Sequence, residues 1–119
     1  MSEAVNVKSP IKHINKLVRD KIPELIEANR QECKYKILTD DVEYMTALEA
    51  KLQEEVNEYL ESRSLEELAD IMDVFIAILY ARGYSLKDLT YARAEKGLER
   101  GEFKKRIFLE CVYPKGYSE

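Results

Sequence analysis

The segment from Leu68 to Ala81 constrains the fold most, because it is apolar apart from two aspartates. Its sequence, LADIMDVFIAILYA, predicts a helix with apolar side chains around most of its circumference. Such a helix is normally buried, either inside a core or against a partner. Fourteen residues that include Asp70 and Asp73 are too few and too polar for a membrane span. The segment therefore predicts a buried helix and no membrane partner.

Carboxylates recur at helical spacing in two adjacent segments, the second of which contains the apolar stretch. Glu55 and Glu58 are three residues apart in the first segment, and Glu67 and Asp70 repeat that spacing in the second. Residues three apart project from the same side of a helix, so each pair shares a face. If the two helices pack as an antiparallel hairpin, the four carboxylates converge. A set of oxygen donors of this kind suits Mg²⁺ or Mn²⁺ and indicates phosphate chemistry.

Structural roles compete with metal binding for several carboxylates. Glu54 and Glu61 point away from the apolar stripe of their helix, which favours a solvated face for both. Glu67 follows Ser64 by three residues, so its side chain can complete a capping box. Asp73 lies on a different side of its helix from the metal pair, where it can be a helper ligand or the partner of a base. The residue pattern alone leaves these alternatives open.

Composition excludes several other chemistries. His13 is the only histidine, which disfavours Ser-His-Asp or Cys-His catalysis and a zinc site. The net charge of −4 argues against nucleic acid as the main partner. Cys33 and Cys111 match no metal-ligand spacing, and the first residues lack an apolar signal segment. We therefore expect reduced thiols and a cytoplasmic location.

The length of 119 residues predicts one domain, and caps and periodicity predict its elements. Residues 1–14 are expected to form an irregular tail, 15–113 the domain and 114–119 a C-terminal tail. We predict helices over 23–30, from Asp40 or Asp41 to 61, over 65–82, and from the Ser85 cap to about 99. Two strands, 33–38 and 106–113, are expected to pair in a small sheet. The predicted fold is mainly α: an antiparallel helical hairpin or bundle with a minor two-stranded β element.

The acidic pattern resembles that of the all-α nucleoside triphosphate pyrophosphohydrolases, which include MazG-like proteins and phosphoribosyl-ATP pyrophosphohydrolase. In this chain it reads Glu54-Glu55-x-x-Glu58 followed by Glu67-x-x-Asp70. The local sequence is similar to one small branch in four segments, which appear in the expected order: NKLVRDKIPELI (15–26), KLQEEVNEYLES (51–62), LEELADIMDV (65–74) and RGEFKKRIFLE (100–110). Most of the chain, roughly residues 15 to 112, is covered by the resemblance.

The resemblance implies a reaction and a set of site residues. The reaction is Mg²⁺-dependent, or Mn²⁺-dependent, cleavage of a nucleoside triphosphate to a monophosphate and pyrophosphate, in a house-cleaning role or with phosphoribosyl-ATP as substrate. Glu54 and Glu55 become catalytic candidates. The implied metal ligands are Glu55, Glu58, Glu67 and Asp70. The candidates for binding substrate phosphate are Lys16, Arg19, Lys21 and the weaker Lys96, Arg100, Lys104 and Arg106, for all of which a solvated basic surface is the alternative.

The resemblance also implies a homodimer or homotetramer, which agrees with the apolar helix of a chain too small to cover it. Two other functions stay open at this point. The carboxylates can bind a metal or a nucleotide without turnover in a non-catalytic module, or the helices can form an oligomeric scaffold with no ligand. Binding and hydrolysis use the same ligands, so the sequence does not separate them.

Overall fold

In the computed structural model, which describes residues 10–118, this part of the chain forms four α-helices and no strand. The helices are α1 (Ile22–Ala28), α2 (Asp41–Ser62), α3 (Leu65–Ala81) and α4 (Leu86–Arg100). The chain divides between Gly83 and Tyr84 into two compact units. The expectation of a mainly helical fold is confirmed, whereas a single domain over 15–113 stays a prediction. Of the tail expected at 1–14, residues 1–9 lie outside the described residues.

Helix α1 is a short helix preceded by an irregular segment. Pro23 lies in its first turn, where an amide donor is not needed, and the amide of Ile22 donates to the carbonyl of Arg19 at 3.0 Å. The helix ends at Ala28, two residues earlier than expected. Residues 15–21 are not helical, so Lys16 and Arg19 belong to the irregular segment that leads into α1.

Helices α2 and α3 form the predicted hairpin, and polar side chains determine where each helix begins. Asp40 caps α2 by accepting a hydrogen bond from the amide of Glu43 at 2.8 Å. Ser64 caps α3 in the same way, accepting from the amide of Glu67 at 3.3 Å. The helices pack against each other, and only Arg63 and Ser64 connect them. A connection this short between packed helices makes them antiparallel neighbours.

The seam between α2 and α3 contains the two most buried residues of the described chain. Leu48 is 2% exposed and Glu55 is 5% exposed. On α3, Ile71 and Val74 are half-buried, whereas Met72 on the opposite face is 62% exposed. The first unit therefore covers one face of α3 and leaves the other apolar face open.

The second unit begins with α4, which a complete capping box opens. Ser85 accepts from the amide of Asp88 at 3.1 Å, and the carboxylate of Asp88 accepts from the amide of Ser85 at 2.8 Å. The helix ends at Arg100, and Gly101 follows with a φ of 81°. The cap predicted at Ser85 is confirmed.

The structure differs from the prediction at the expected β element. Residues 33–38 and 106–113 form no strand, and no ladder of backbone hydrogen bonds involves either segment in the described range; the amide of Arg106 donates to the carbonyl of Phe103 at 3.3 Å in a local turn. Ile37 is 75% exposed and Ile107 is 81% exposed. Apolar alternation and β-branched side chains suit a strand, but a strand forms only where a partner satisfies its amides and carbonyls.

Among residues 10–118, no helix combines the length and the apolar character that crossing a membrane requires. Helix α3 is the most apolar of the four, but it has only 17 residues and includes Asp70 and Asp73.

Candidate metal and phosphate site

The hairpin brings the predicted carboxylates of α2 and α3 together in two overlapping clusters. Glu54, Glu55 and Glu58 form the first cluster, and Glu55, Glu67 and Asp70 form the second. Within each cluster, one carboxylate oxygen from every residue lies within 4.8 Å of the others. Glu55 belongs to both clusters because it projects from α2 into the seam with α3. We call the five residues together the carboxylate cluster.

Glu55 is a buried carboxylate with only one of its oxygens paired. Its Oε1 lies 3.3 Å from Nζ of Lys51, one turn earlier on α2. Its Oε2 is buried and has no hydrogen-bond partner among residues 10–118. Burial raises the pKa of Glu55; Lys51 opposes this effect, and the nearby charges of Glu58 and Asp70 add to it. The site therefore disfavours the charge that Glu55 carries at neutral pH.

Glu67 takes part in the carboxylate cluster and does not complete a capping box. Ser64 accepts from its amide, but the reciprocal bond from the Glu67 side chain to the cap is not formed in α3. Its Oε2 is buried and, like that of Glu55, has no hydrogen-bond partner in the described part of the chain. Burial, followed by the charges of Glu58, Asp70 and Glu55, raises the pKa of Glu67.

Glu54 has both oxygens paired with lysines, so the solvated role expected for it is not what the structure shows. Oε1 contacts Nζ of Lys16, and Oε2 lies 3.1 Å from Nζ of Lys51. The hydrogen bond from Lys16 lowers the pKa of Glu54 most; burial opposes this, and Lys51 adds to the lowering. Glu54 therefore stays ionised, whereas Glu61, for which the same solvated face was expected, is exposed.

Lys51 is the residue of this site that the sequence analysis missed. Its side chain is 16% exposed, and it pairs with the carboxylates three and four residues later on α2. Burial lowers the pKa of Lys51, but its pairs with Glu54 and Glu55 outweigh this and raise it overall. The spacing of three and four residues was a signal that could have identified this contact.

Two of the basic residues expected to bind phosphate lie against the carboxylate cluster. Lys16 contacts Glu54, and Arg19 contacts Asp70 at 2.5 Å through Nη2. Hydrogen bonds to Asp70 and then to Asp73 raise the pKa of Arg19, which stays charged. Lys21 is exposed and pairs with no acid in the described range. Lys96 is exposed on α4, in the second unit.

The donor atoms of the carboxylate cluster fit a hard divalent cation. All of them are carboxylate oxygens, as Mg²⁺ and Mn²⁺ prefer. The buried, unpartnered Oε2 atoms of Glu55 and Glu67 are the specific observation, because a buried ionised oxygen is costly without a partner. A cation at this position would supply that partner.

Comparisons with known proteins identify no family for this chain. No protein-family model matches it, and no solved structure matches it. An uncharacterized protein of Mycolicibacterium smegmatis (strain ATCC 700084 / mc(2)155) is 57% identical to it over 42 residues. That stretch is 35% of this chain and 42% of the relative, so the chain spans less than half the length of that relative. The likeness carries no activity to this chain.

Proposed function

We propose that the protein is a Mg²⁺-dependent nucleotide pyrophosphohydrolase of the all-α type, with Mn²⁺ as a substitute ion. One observation carries the proposal: two helices present a partly buried, incompletely paired carboxylate cluster with lysine and arginine at its edge. A cluster of acids alone would repel a triphosphate. A divalent cation held by the acids, together with basic side chains beside it, provides the charges that bind one.

The proposed ligands are Glu55, Glu58, Glu67 and Asp70. Bound there, Mg²⁺ would neutralise phosphate charge and make a water molecule easier to deprotonate. The proximity of the ligand oxygens, within 4.8 Å in each cluster, and the oxygen-only donor set support this role.

In the proposed reaction, water attacks the α-phosphorus while the bond from that phosphorus to the α–β bridging oxygen breaks. The products are a nucleoside monophosphate and pyrophosphate, and the proton of the attacking water passes to a carboxylate. Glu54 and Glu55 are the two candidates for accepting that proton, and of the two Glu55 lies nearer the carboxylates of α3. Glu54 has a lowered pKa and pairs with Lys16 and Lys51, which suits the positioning of these two ammonium groups.

Lys16 and Arg19 are the proposed phosphate-binding residues of the first unit. Both lie at the edge of the carboxylate cluster, and about half of each side chain is exposed, at 46% and 56%. Each can therefore contact a ligand that approaches from solvent. Lys21 and Lys96 are candidates on sequence resemblance alone. The substrate class is a nucleoside triphosphate or a related nucleotide such as phosphoribosyl-ATP, with removal of unwanted nucleotides as the cellular role.

A second copy of this chain is the proposed partner, in a homodimer or homotetramer. The open face of α3 supports this, since Leu68, Met72 and Phe75 are 46%, 62% and 43% exposed. An apolar stripe of this kind is normally covered in the functional state. The free thiols of Cys33 and Cys111 agree with the proposed cytoplasmic location.

Pyrophosphate release tests the proposal. The purified protein is incubated with Mg²⁺ or Mn²⁺ and a panel of standard and damaged nucleoside triphosphates and phosphoribosyl-ATP. The wild type is compared with Asp70→Asn, Glu67→Gln and the exposed control Glu61→Gln. We expect release by the wild type and the control, and none by the two cluster variants. If the folded wild type binds metal and nucleotide but releases nothing, the chain is a binding module and not an enzyme.

A further inference from the structure

Arg19 contacts two aspartates that lie one helical turn apart on α3. Its Nη2 is 2.5 Å from Oδ1 of Asp70, and its Nη1 is 2.9 Å from Oδ2 of Asp73. Asp70 belongs to the carboxylate cluster, whereas Asp73 lies outside both groups that can hold a cation. Of the roles that the sequence left open for Asp73, the structure therefore shows the partner of a base.

The contacts with Asp70 and Asp73 together restrict the rotation of a largely exposed arginine side chain. Arg19 lies in an irregular segment, and its side chain is 56% exposed. A guanidinium has five N–H donors in a rigid plane, and these two contacts use one donor on each Nη. The other donors are free to bind a further anion in an orientation that the aspartates fix.

We infer that Asp73 is a positioning residue for polyphosphate binding, acting through Arg19. This inference rests on the proposed function, to which it adds a residue that binds neither metal nor substrate. When a cation shares the charge of Asp70, the attraction between Asp70 and Arg19 weakens. Asp73 then remains as the anchor that holds the guanidinium beside the cation, where it contacts phosphate oxygens.

The alternative role for these contacts is purely structural, a tie between the irregular segment and α3. The chain offers a matched pair for comparison, because Arg82 and Glu49 form an ion pair at 3.0 Å in the same unit. The side chains of that pair are 55% and 54% exposed, against 56% and 57% for Arg19 and Asp73. Neither Arg82 nor Glu49 belongs to the carboxylate cluster.

Isothermal titration calorimetry with two probes tests the inference. Mg²⁺ alone reports on the cation ligands, and inorganic pyrophosphate in saturating Mg²⁺ reports on the phosphate contacts. The variants are Arg19→Gln, Asp73→Asn and the double variant, with Arg82→Gln and Glu49→Gln as controls. Circular dichroism verifies that each variant is folded.

We expect Asp73→Asn to weaken pyrophosphate binding about fivefold and Arg19→Gln to weaken it about tenfold. The double variant should bind as weakly as Arg19→Gln and no more weakly, because Asp73 acts only through Arg19. The direction of the change in affinity is diagnostic. Removing the negative charge of Asp73 would by itself strengthen the binding of an anion, so a loss of affinity for pyrophosphate must come through Arg19. The control variants should bind pyrophosphate as the wild type does.

Three results would overturn the inference. Unchanged or tighter pyrophosphate binding by Asp73→Asn would show that Asp73 does not position Arg19. A tenfold loss of affinity for Mg²⁺ alone in that variant would make Asp73 a cation ligand. An additional loss in the double variant would give Asp73 a role independent of Arg19. In each case Mg²⁺ binding by the wild type would keep the proposed function intact, whereas a wild type that binds neither probe would refute both.

Discussion

Replacing Glu55 with glutamine should stabilise the protein in the absence of divalent cations, although it removes an ion pair. Glu55 is 5% exposed, and its pKa is raised despite the neighbouring Lys51. The folded state therefore prefers a neutral group at this position at neutral pH. Glutamine has the same shape, and its NH₂ group can donate to a neighbouring carboxylate where Oε2 of Glu55 has no partner.

The distances give the size of the effect. At an effective dielectric constant of about 20, Lys51 at 3.3 Å attracts the Glu55 carboxylate by about 5 kcal/mol. Oxygens of Glu54, Glu58, Glu67 and Asp70 lie within 4.8 Å of it. Glu54 and Asp70 have basic partners, whereas at that distance Glu58 and Glu67 each repel the Glu55 carboxylate by about 3.5 kcal/mol. Because the repulsion exceeds the attraction, and Arg19 partly compensates Asp70, we expect a gain of about 1–2 kcal/mol. This corresponds to about 4–8 °C in Tm.

Mg²⁺ should reverse the order of stability of the wild type and Glu55→Gln. At a concentration 100 times its Kd, a ligand that binds only the folded state adds about 2.7 kcal/mol, or about 10 °C. The wild type should gain this amount, whereas Glu55→Gln, which lacks one proposed ligand, should gain little. The variant is then more stable than the wild type in EDTA and less stable in Mg²⁺.

Differential scanning calorimetry at pH 8, in EDTA and in excess Mg²⁺, measures both effects, with Glu61→Gln as the exposed control. If Glu55→Gln melts below the wild type in EDTA, the pair with Lys51 dominates and the electrostatic argument is wrong. If the variant keeps the full Mg²⁺-induced rise in Tm, Glu55 is not a cation ligand. The control should follow the wild type in both buffers.

Three further predictions use the same protein. The pKa values of Glu55 and Glu67 are raised in the folded state. As the pH rises, these two carboxyl groups therefore lose their protons in the unfolded chain first, near the ordinary pKa of 4.5, and in the folded protein only at a higher pH. Metal-free stability should then fall above about pH 4.5, and melts should show a larger Mg²⁺-induced rise in Tm at pH 8 than at pH 5. Lys51→Met should lower the free energy of unfolding in EDTA by about 1–3 kcal/mol and enlarge the Mg²⁺ effect, as calorimetry will show. Met72→Glu places a charge on the open face of α3 and should shift sedimentation velocity profiles from oligomer to monomer, and an unchanged profile would exclude that face as the interface.

Much of the helical architecture was predictable because its determinants are local. Asp40, Ser64 and Ser85 each accept a backbone hydrogen bond at the start of a helix, and short polar side chains before a periodic segment predict this. The β element was not predictable from the same kind of signal. Residues 33–38 and 106–113 have suitable side chains, but a strand depends on a distant partner that local sequence does not specify.

The carboxylate cluster was predictable in part, for the same reason. The spacing of Glu55 to Glu58 and of Glu67 to Asp70 identifies shared helix faces, and the short link brings the faces together. The contacts between the irregular segment and the helices were beyond such reasoning. Arg19 reaches acids on α3 that lie more than 50 positions later, and no periodicity in the intervening chain indicates this.

The position of Glu55 is the strongest argument that the hairpin is built for a ligand. Leu48 and Glu55 are the two most buried residues among residues 10–118, so one of the two least exposed positions in a small core holds a carboxylate. An apolar residue there would stabilise the hairpin without the cost of burying an incompletely paired charge. Natural proteins depart from such packing rules chiefly at functional sites. The instability predicted for the metal-free site and the affinity for a cation proposed for it are therefore two consequences of one placement.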